Sequence, residues 1–342
     1  MISRALVCIA GFALAFASAQ TASARPTAAI SVSYKAIPLS SANLQQNRVG
    51  KLVYRGGLQL SSPDPRFGGW SGLVISKDGK RMLSQSDEAH WLRADLRYDH
   101  HGNLTGIANA ELADMKALDG HVMRGKEGDA EGLTAVSPAG PDGPVLVSFE
   151  RKARVWRYDL SKNLDAVPTK VPMPEDIKTL KSNSGLEGIA MLTPHAFLAV
   201  AEDSNNAQGD RKAWLVPSGV PAKGIDYGVL GVIPHAPYEI SDAAFGPDRR
   251  YLYLLERHYF GPLRGVVIAV RRIDAGTIKA GARLQGQELA AFTMHENIDN
   301  MEGLALHRGP HGETLLTMIS DDNYNPIQRT LLLMFEVTDK AQ

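Results

Sequence analysis

The sequence has almost no cysteine. Among its 342 residues only Cys8 occurs, inside a segment that reads as a leader. Beyond that point disulfides, thiolate metal sites and cysteine nucleophiles are excluded. Aromatic residues are few, at 7%. An excess of charge is also missing, because Lys+Arg 37 balance Asp+Glu 37. Without a positive field, neither nucleic acid nor an anionic membrane surface is expected as the main partner. No run after Ala24 approaches the roughly 20 apolar residues of a membrane span. A chain with no disulfide staple needs a large core, and its 44% hydrophobic content can supply one.

What is present begins with the leader. Met1-Ile-Ser-Arg4 gives a positive start, Ala5 to Ala17 is apolar, and small-residue cleavage sites end at Ala19 and Ala24. The expectation is a signal peptide over residues 1–24, cleaved after Ala19 or Ala24. One domain over 25–342 follows, acting as a monomer in the periplasm or outside the cell.

A repeat organises that domain. Trp70-Ser-Gly-Leu-Val-Ile-Ser76 aligns with Ala130-Glu-Gly-Leu133, Leu186-Glu-Gly-Ile189 and Met301-Glu-Gly-Leu304, and Ser241-Asp-Ala-Ala-Phe245 is a degenerate copy. Marked at Ser71, Glu131, Glu187, Asp242 and Glu302, the steps are 60, 56, 55 and 60 residues. A period of this length indicates repeated supersecondary units. Each unit reads as short strands between turn residues, as in Tyr251-Leu-Tyr-Leu-Leu255 and Gly265-Val-Val-Ile-Ala-Val270. The pattern predicts an all-β propeller of four-stranded blades, five of them clear, with room for an irregular sixth. The last unit runs out after its third strand, so Lys51–Leu60 is expected to supply its fourth and close the ring. Short helices are expected near Ala110–Leu118 and Pro174–Leu180. A pair of β-sandwiches is the alternative, but it does not require so regular a repeat.

The acids recur as well. The second strand of each unit ends in an acid: Asp87, Glu150, Glu202, Glu256 and Asp321. The entry of a first strand and the exit of a second lie at the same end of an antiparallel hairpin. These acids should therefore gather with Glu131, Glu187, Asp242 and Glu302 around one mouth of the axis. So many carboxylates need cations between them. Arg151, Arg257 and Arg329 answer part of the demand. Hard oxygen ligands without thiolates favour bound Ca²⁺, with Mg²⁺ as the alternative. Arg151 and Arg257 are candidate oxyanion contacts, and His258 a candidate acid or base. The competing reading is that each acid simply caps exposed turn N–H groups.

Phe67-Gly-Gly-Trp-Ser-Gly-Leu73, the acidic triplets, Asn300-Met-Glu-Gly-Leu-Ala-Leu306 and Ile319-Ser-Asp-Asp-Asn-Tyr-Asn-Pro-Ile-Gln-Arg-Thr-Leu-Leu-Leu333 together resemble the esterase-like phytase family. The resemblance covers roughly residues 50 to 338. It implies an exported bacterial β-propeller with phosphoesterase or esterase activity on a small-molecule ester, and it transfers no catalytic residue.

Other chemistries find little support. Gly69-Trp-Ser-Gly72 lacks the spacing of a nucleophile elbow, and Ser71 occupies a repeat position. No phosphate-binding loop, dinucleotide fingerprint or His-Glu-x-x-His motif occurs. Three readings remain: metal-assisted hydrolysis of a phosphate ester, hydrolysis of a lactone or carboxylic ester at one axial cation, and a non-catalytic binding propeller.

Overall fold

The computed structural model describes residues 27–181, 185–261 and 264–339. The expected leader over 1–24, with Cys8, lies outside them. Short apolar runs broken by Gly, Pro and Asp turns become strands, as the two-residue periodicity requires.

These strands form five sheets, each ordered from the axis outward. Blade I comprises Trp70–Ile75, Arg81–Ser86, His90–Tyr98 and Leu104–Asp114. Blade II comprises Ala130–Ala135, Pro144–Phe149, Arg154–Asp159 and Thr169–Val171. Blade III comprises Leu186–Thr193, Ala196–Asn205, Arg211–Pro217 and Gly228–Val232. Blade IV comprises Glu239–Phe245, Tyr251–Tyr259, Val266–Asp274 and Gln287–Phe292. Blade V comprises Asn300–Arg308, Thr314–Asp321, Thr330–Val337 and the early strand Leu52–Ser61. Ala28–Ala29, Ser33–Ala36 and Arg283–Leu284 add outer edges to blades I, V and III.

The ring closes where the sequence indicated. Leu52–Ser61 pairs antiparallel with Thr330–Val337, from Leu60 opposite Thr330 to Leu52 opposite Val337. Closure removes an open sheet edge and buries Leu58 and Leu60. Burying one such leucine contributes about 1.5–3 kcal/mol. Five apolar clusters fill the five junctions between blades; Leu58 and Leu92 meet at V–I, and Leu146 and Phe197 at II–III. The sequence left room for a sixth blade, but none occurs among the described residues. The helix expected at Ala110–Leu118 is also absent. Residues through Asp114 extend the outer strand of blade I, because Ala110, Leu112 and Ala113 pack inward against it. Near Pro174 one short 3-10 helix forms, Glu175–Thr179.

Candidate metal centre at one mouth of the axis

Every blade carries the same irregularity where its innermost strand begins. Trp70, Ala130, Leu186, Ile240 and Met301 pair with Ser86, Phe149, Ala201, Glu256 and Ser320. One further residue then bulges out before pairing resumes. A bulge leaves that residue outside the ladder and re-aims its side chain. The bulged residues are Ser71, Glu131, Glu187, Ser241 and Glu302. One residue beyond those partners on the second strand stand Asp87, Glu150, Glu202, Arg257 and Asp321. Ten equivalent positions thus hold seven carboxylates, two serines and one guanidinium.

The glycine after each bulged acid has a packing reason. A Cβ on Gly132 would lie 2.4 Å from the Glu187 carbonyl oxygen, and one on Gly303 would lie 2.9 Å from the backbone of Gly72. Neighbouring innermost strands approach too closely there for a side chain. The Glu-Gly pair therefore does two jobs: the acid enters the mouth and the glycine lets the blades meet.

Two sets of carboxylates converge. Ligand oxygens of Asp129, Glu131 and Glu150 lie within 4.8 Å of one another, as do those of Glu150, Glu187 and Glu202. Glu150 belongs to both sets. Two ionised carboxylates at such a separation repel by roughly 3 kcal/mol at an effective dielectric constant near 20. Protons or cations must relieve that repulsion. Burial, reinforced by Glu302, Asp129 and Glu150, drives Glu131 well above the ordinary carboxylate range. Burial with Glu131, Glu202 and Glu302 does the same to Glu187. Asp87 rises to about 7, first through burial and then through Glu302 and Glu88. Glu150 rises to about 7 through burial and Asp129, and Glu202 to about 7 through burial, with Arg257 opposing. Asp321 is pushed up to about 9 by burial, then by Glu302 and Asp87.

Arg257 is the single cation among the ten. Burial works against its charge, but Glu302, Glu202, Glu187 and Glu131 outweigh that and hold the guanidinium above its usual range. Its Nη2 stands 3.5 Å from Glu302 and 3.8 Å from Glu202, and its buried Nε has no hydrogen-bond partner.

The sequence alignment places two residues one position out. Asp242 is not a bulged acid: Ser241 is, and Asp242 takes the place glycine holds elsewhere. Fully buried there, its carboxylate accepts the N–H groups of Ala243 and Leu304, each at 2.7 Å. Glu256 likewise pairs with Ile240 inside the ladder and turns away from the mouth. It bonds the Arg271 guanidinium, with Nε 2.9 Å from Oε2, and meets His235 Nδ1 at 2.9 Å. Arg257 stands where Glu256 was expected.

The other candidates separate. Glu302 accepts from the Asn300 amide at 2.7 Å and faces Arg257, outside both converging sets. Arg151 pairs with Asp129 at 2.8 Å on the rim. His258 follows Arg257 on the opposite pleat and packs edge-on against Phe260, with centroids 4.4 Å apart. Arg329 anchors a turn, binding Asp299 at 3.2 Å and the Ile298 carbonyl at 2.8 Å. The Ser71 hydroxyl donates to the Gly69 carbonyl rather than to a base.

Asp129 escaped the sequence reading. It precedes the repeated triplet, and its counterparts Gly69, Gly185, Glu239 and Asn300 share no chemistry, so no periodic signal marks it. The donor set suits a hard divalent cation, because all its ligands are carboxylate oxygens; Asp87, outside both sets, has a buried Oδ1 with no hydrogen-bond partner. At the other end of the axis the innermost strands line an open cavity of about 340 Å³ in which Lys77, Arg249, His307 and Arg308 stand among apolar residues.

A closed five-bladed propeller with an acid-lined axial mouth is the class that fold and site define. The chain belongs to the Phytase-like family described as esterase-like activity of phytase, whose model matches residues 65–324. No curated protein matches it. Among solved structures it is similar to the PQQ-bound aldose sugar dehydrogenase of Streptomyces coelicolor, at 16% identity and TM-score 0.45, covering 91% of this chain and 99% of that one. A chain of a mitotic checkpoint complex gives 10% identity and TM-score 0.39, covering 98% of this chain and 99% of that one. No helix among the described residues is long and apolar enough to cross a membrane.

Proposed function

We propose that this protein is an exported hydrolase that cleaves a phosphate ester, or a related ester, of a small molecule with the help of Ca²⁺. One observation carries the reading: two converging carboxylate sets share Glu150, and the Arg257 guanidinium stands beside them, 3.8 Å from Glu202 and 3.5 Å from Glu302. Turn caps would not need carboxylates gathered against their own repulsion.

Asp129, Glu131, Glu150, Glu187 and Glu202 would hold the cation. When bound, Ca²⁺ supplies charge neutralisation for an oxyanion and polarises water. Arg257 binds and orients the phosphoryl oxygens through its Nε, which has no hydrogen-bond partner within the chain. Asp87, with a carboxyl near 7 and an unpartnered Oδ1, takes the proton of the attacking water. The new bond forms between water oxygen and phosphorus, the ester P–O bond breaks, and the leaving oxygen acquires a proton.

Metal analysis of the purified chain, with hydrolysis of phosphomonoesters, carboxylic esters and lactones before and after chelation, tests the reading. Stoichiometric Ca²⁺ and chelator-sensitive cleavage of at least one ester class are expected. Absence of both would leave a binding propeller instead.

A further inference from the structure

Beside the acidic mouth, around the rim of blade II, lies a groove of about 1030 Å³ whose wall includes Glu150 and Arg151. Its electrostatics reverse those of the mouth. Arg151, Lys152, Arg154, Lys170, Lys178 and Lys181 line it, against only Glu127 and Glu150. Three of the cations are already paired: Arg151 with Asp129 at 2.8 Å, Lys181 with Asp203 at 3.1 Å, and Lys178 with Glu175. Lys152, Arg154 and Lys170 form no ion pair among the described residues.

Arg154 is the built element of this wall. Cross-strand pairing sets Phe149 opposite Arg154 and Lys170 opposite Trp156, so all four side chains share one face of blade II. The guanidinium centre lies 4.1 Å from the Phe149 ring and 4.7 Å from the Trp156 ring. Its Nη1 donates to the Lys152 carbonyl at 3.2 Å and its Nη2 to the Glu127 carbonyl at 2.6 Å. Two aromatic faces and two carbonyls hold the fork in place, yet no carboxylate among the described residues forms an ion pair with it. Burial draws its pKa below the usual guanidinium range, with Tyr158, Glu127 and Asp129 only partly opposing this. Met173, Ile177 and Leu180, which pack with Val155 and Val171 on the other face of the blade, line the same groove past its edge strand. A fixed guanidinium with unused donors, flanked by two lysines and an apolar floor, is the recognition chemistry of an organic oxyanion.

We propose that this groove binds an organic oxyanion, its phosphate or carboxylate held by Arg154, Lys152 and Lys170 and its apolar body by Trp156, Met173 and Ile177. Because the groove shares Glu150 with the carboxylate sets, it is the subsite for the part of the substrate beyond the scissile bond. That assignment rests on the hydrolase reading, whereas the binding itself does not.

The experiment is calorimetric titration of phenyl phosphate, phenylacetate and benzyl alcohol into the full chain kept free of divalent ions by chelator. Both anions bind the wild type and neutral benzyl alcohol does not. A larger effect of phosphate or of carboxylate decides which oxyanion the groove prefers. Arg154→Met, which keeps the stacked stem, weakens anion binding at least about tenfold, the scale of losing a charge-assisted contact. Lys152→Gln combined with Lys170→Gln, at exposed positions that the fold does not need, weakens it as well. Anion binding that is missing from the chelated wild type, or unaltered in both variants, overturns the proposal. Hydrolysis is read separately on metal-loaded protein, so its failure would strike the hydrolase reading and not the groove.

Discussion

The carboxylate of Asp242 accepts the backbone N–H of Leu304 at 2.7 Å, tying the innermost strand of blade IV to that of blade V. In the other blades glycine occupies this position, and at Gly132, Gly188 and Gly303 the neighbouring backbone packs directly against it. Asp242 substitutes a hydrogen-bonded clamp for that close contact. Burial pushes its carboxyl up, and the two backbone N–H groups only partly oppose this.

Asp242→Gly should therefore lower stability by about 1–3 kcal/mol, the scale of leaving a buried donor unsatisfied. It should leave the Ca²⁺ response unchanged, because Asp242 is outside the mouth. Thermal melts with and without Ca²⁺ check both statements. An abolished Ca²⁺ shift would return Asp242 to the metal ligands.

Arg257→Met removes the only cation among the ten equivalent positions while keeping much of the stem. Ca²⁺ affinity should hold or increase, since a positive charge near the ion is gone. Ester hydrolysis should fall by roughly 100-fold or more, the usual effect of deleting a group aimed at developing oxyanion charge. Parallel titrations and kinetics separate the two. Full hydrolysis in the variant would remove Arg257 from the machinery.

His307 predicts part of the acid sensitivity. It is buried on the innermost strand of blade V, and burial lowers its pKa to about 4 despite Glu313 and Asp78. Free histidine titrates near 6.5. As pH falls from about 6.5 to about 4, the unfolded chain takes up a proton that the folded chain refuses, so stability declines. The limit is about 1.4 kcal/mol per pH unit. In His307→Leu the fall in melting temperature between neutral and acidic buffer should be smaller by several degrees. Parallel declines in the two proteins would show that His307 is not responsible.

Much of this arrangement was legible in the sequence. The Glu-Gly-apolar triplet carries two demands, an acid for the mouth and a glycine for blade contact, and it recurs strongly enough to reveal the ring. Closure was legible because the last unit lacked a strand and Leu52–Ser61 offered one. Register in blade IV was not. There Asp242 replaces the glycine and Arg257 the exit acid, so an alignment anchored on acids slides by one residue and selects Asp242 and Glu256. Anchoring on the apolar residue before the bulge, Ile240 against Met301, recovers the register. Asp129 and Arg154 escaped for another reason. Neither recurs from blade to blade, and only the folded chain brings Asp129 to Glu131 and Glu150, or sets Arg154 against Phe149 and Trp156.

Glu150 is the carboxylate that both converging sets share, so it offers the most direct test of the metal centre. The measurement is calorimetric titration of Ca²⁺ into chelator-treated full chain, wild type beside Glu150→Gln, with ester hydrolysis followed on the same samples. The wild type should bind Ca²⁺ and gain stability by mass action, about 2.7 kcal/mol at a hundredfold excess over Kd. Glu150→Gln should retain the fold, bind Ca²⁺ at least about tenfold more weakly, and lose hydrolysis in proportion. A wild type that takes up no Ca²⁺, or a variant that matches it in both binding and hydrolysis, would contradict the account.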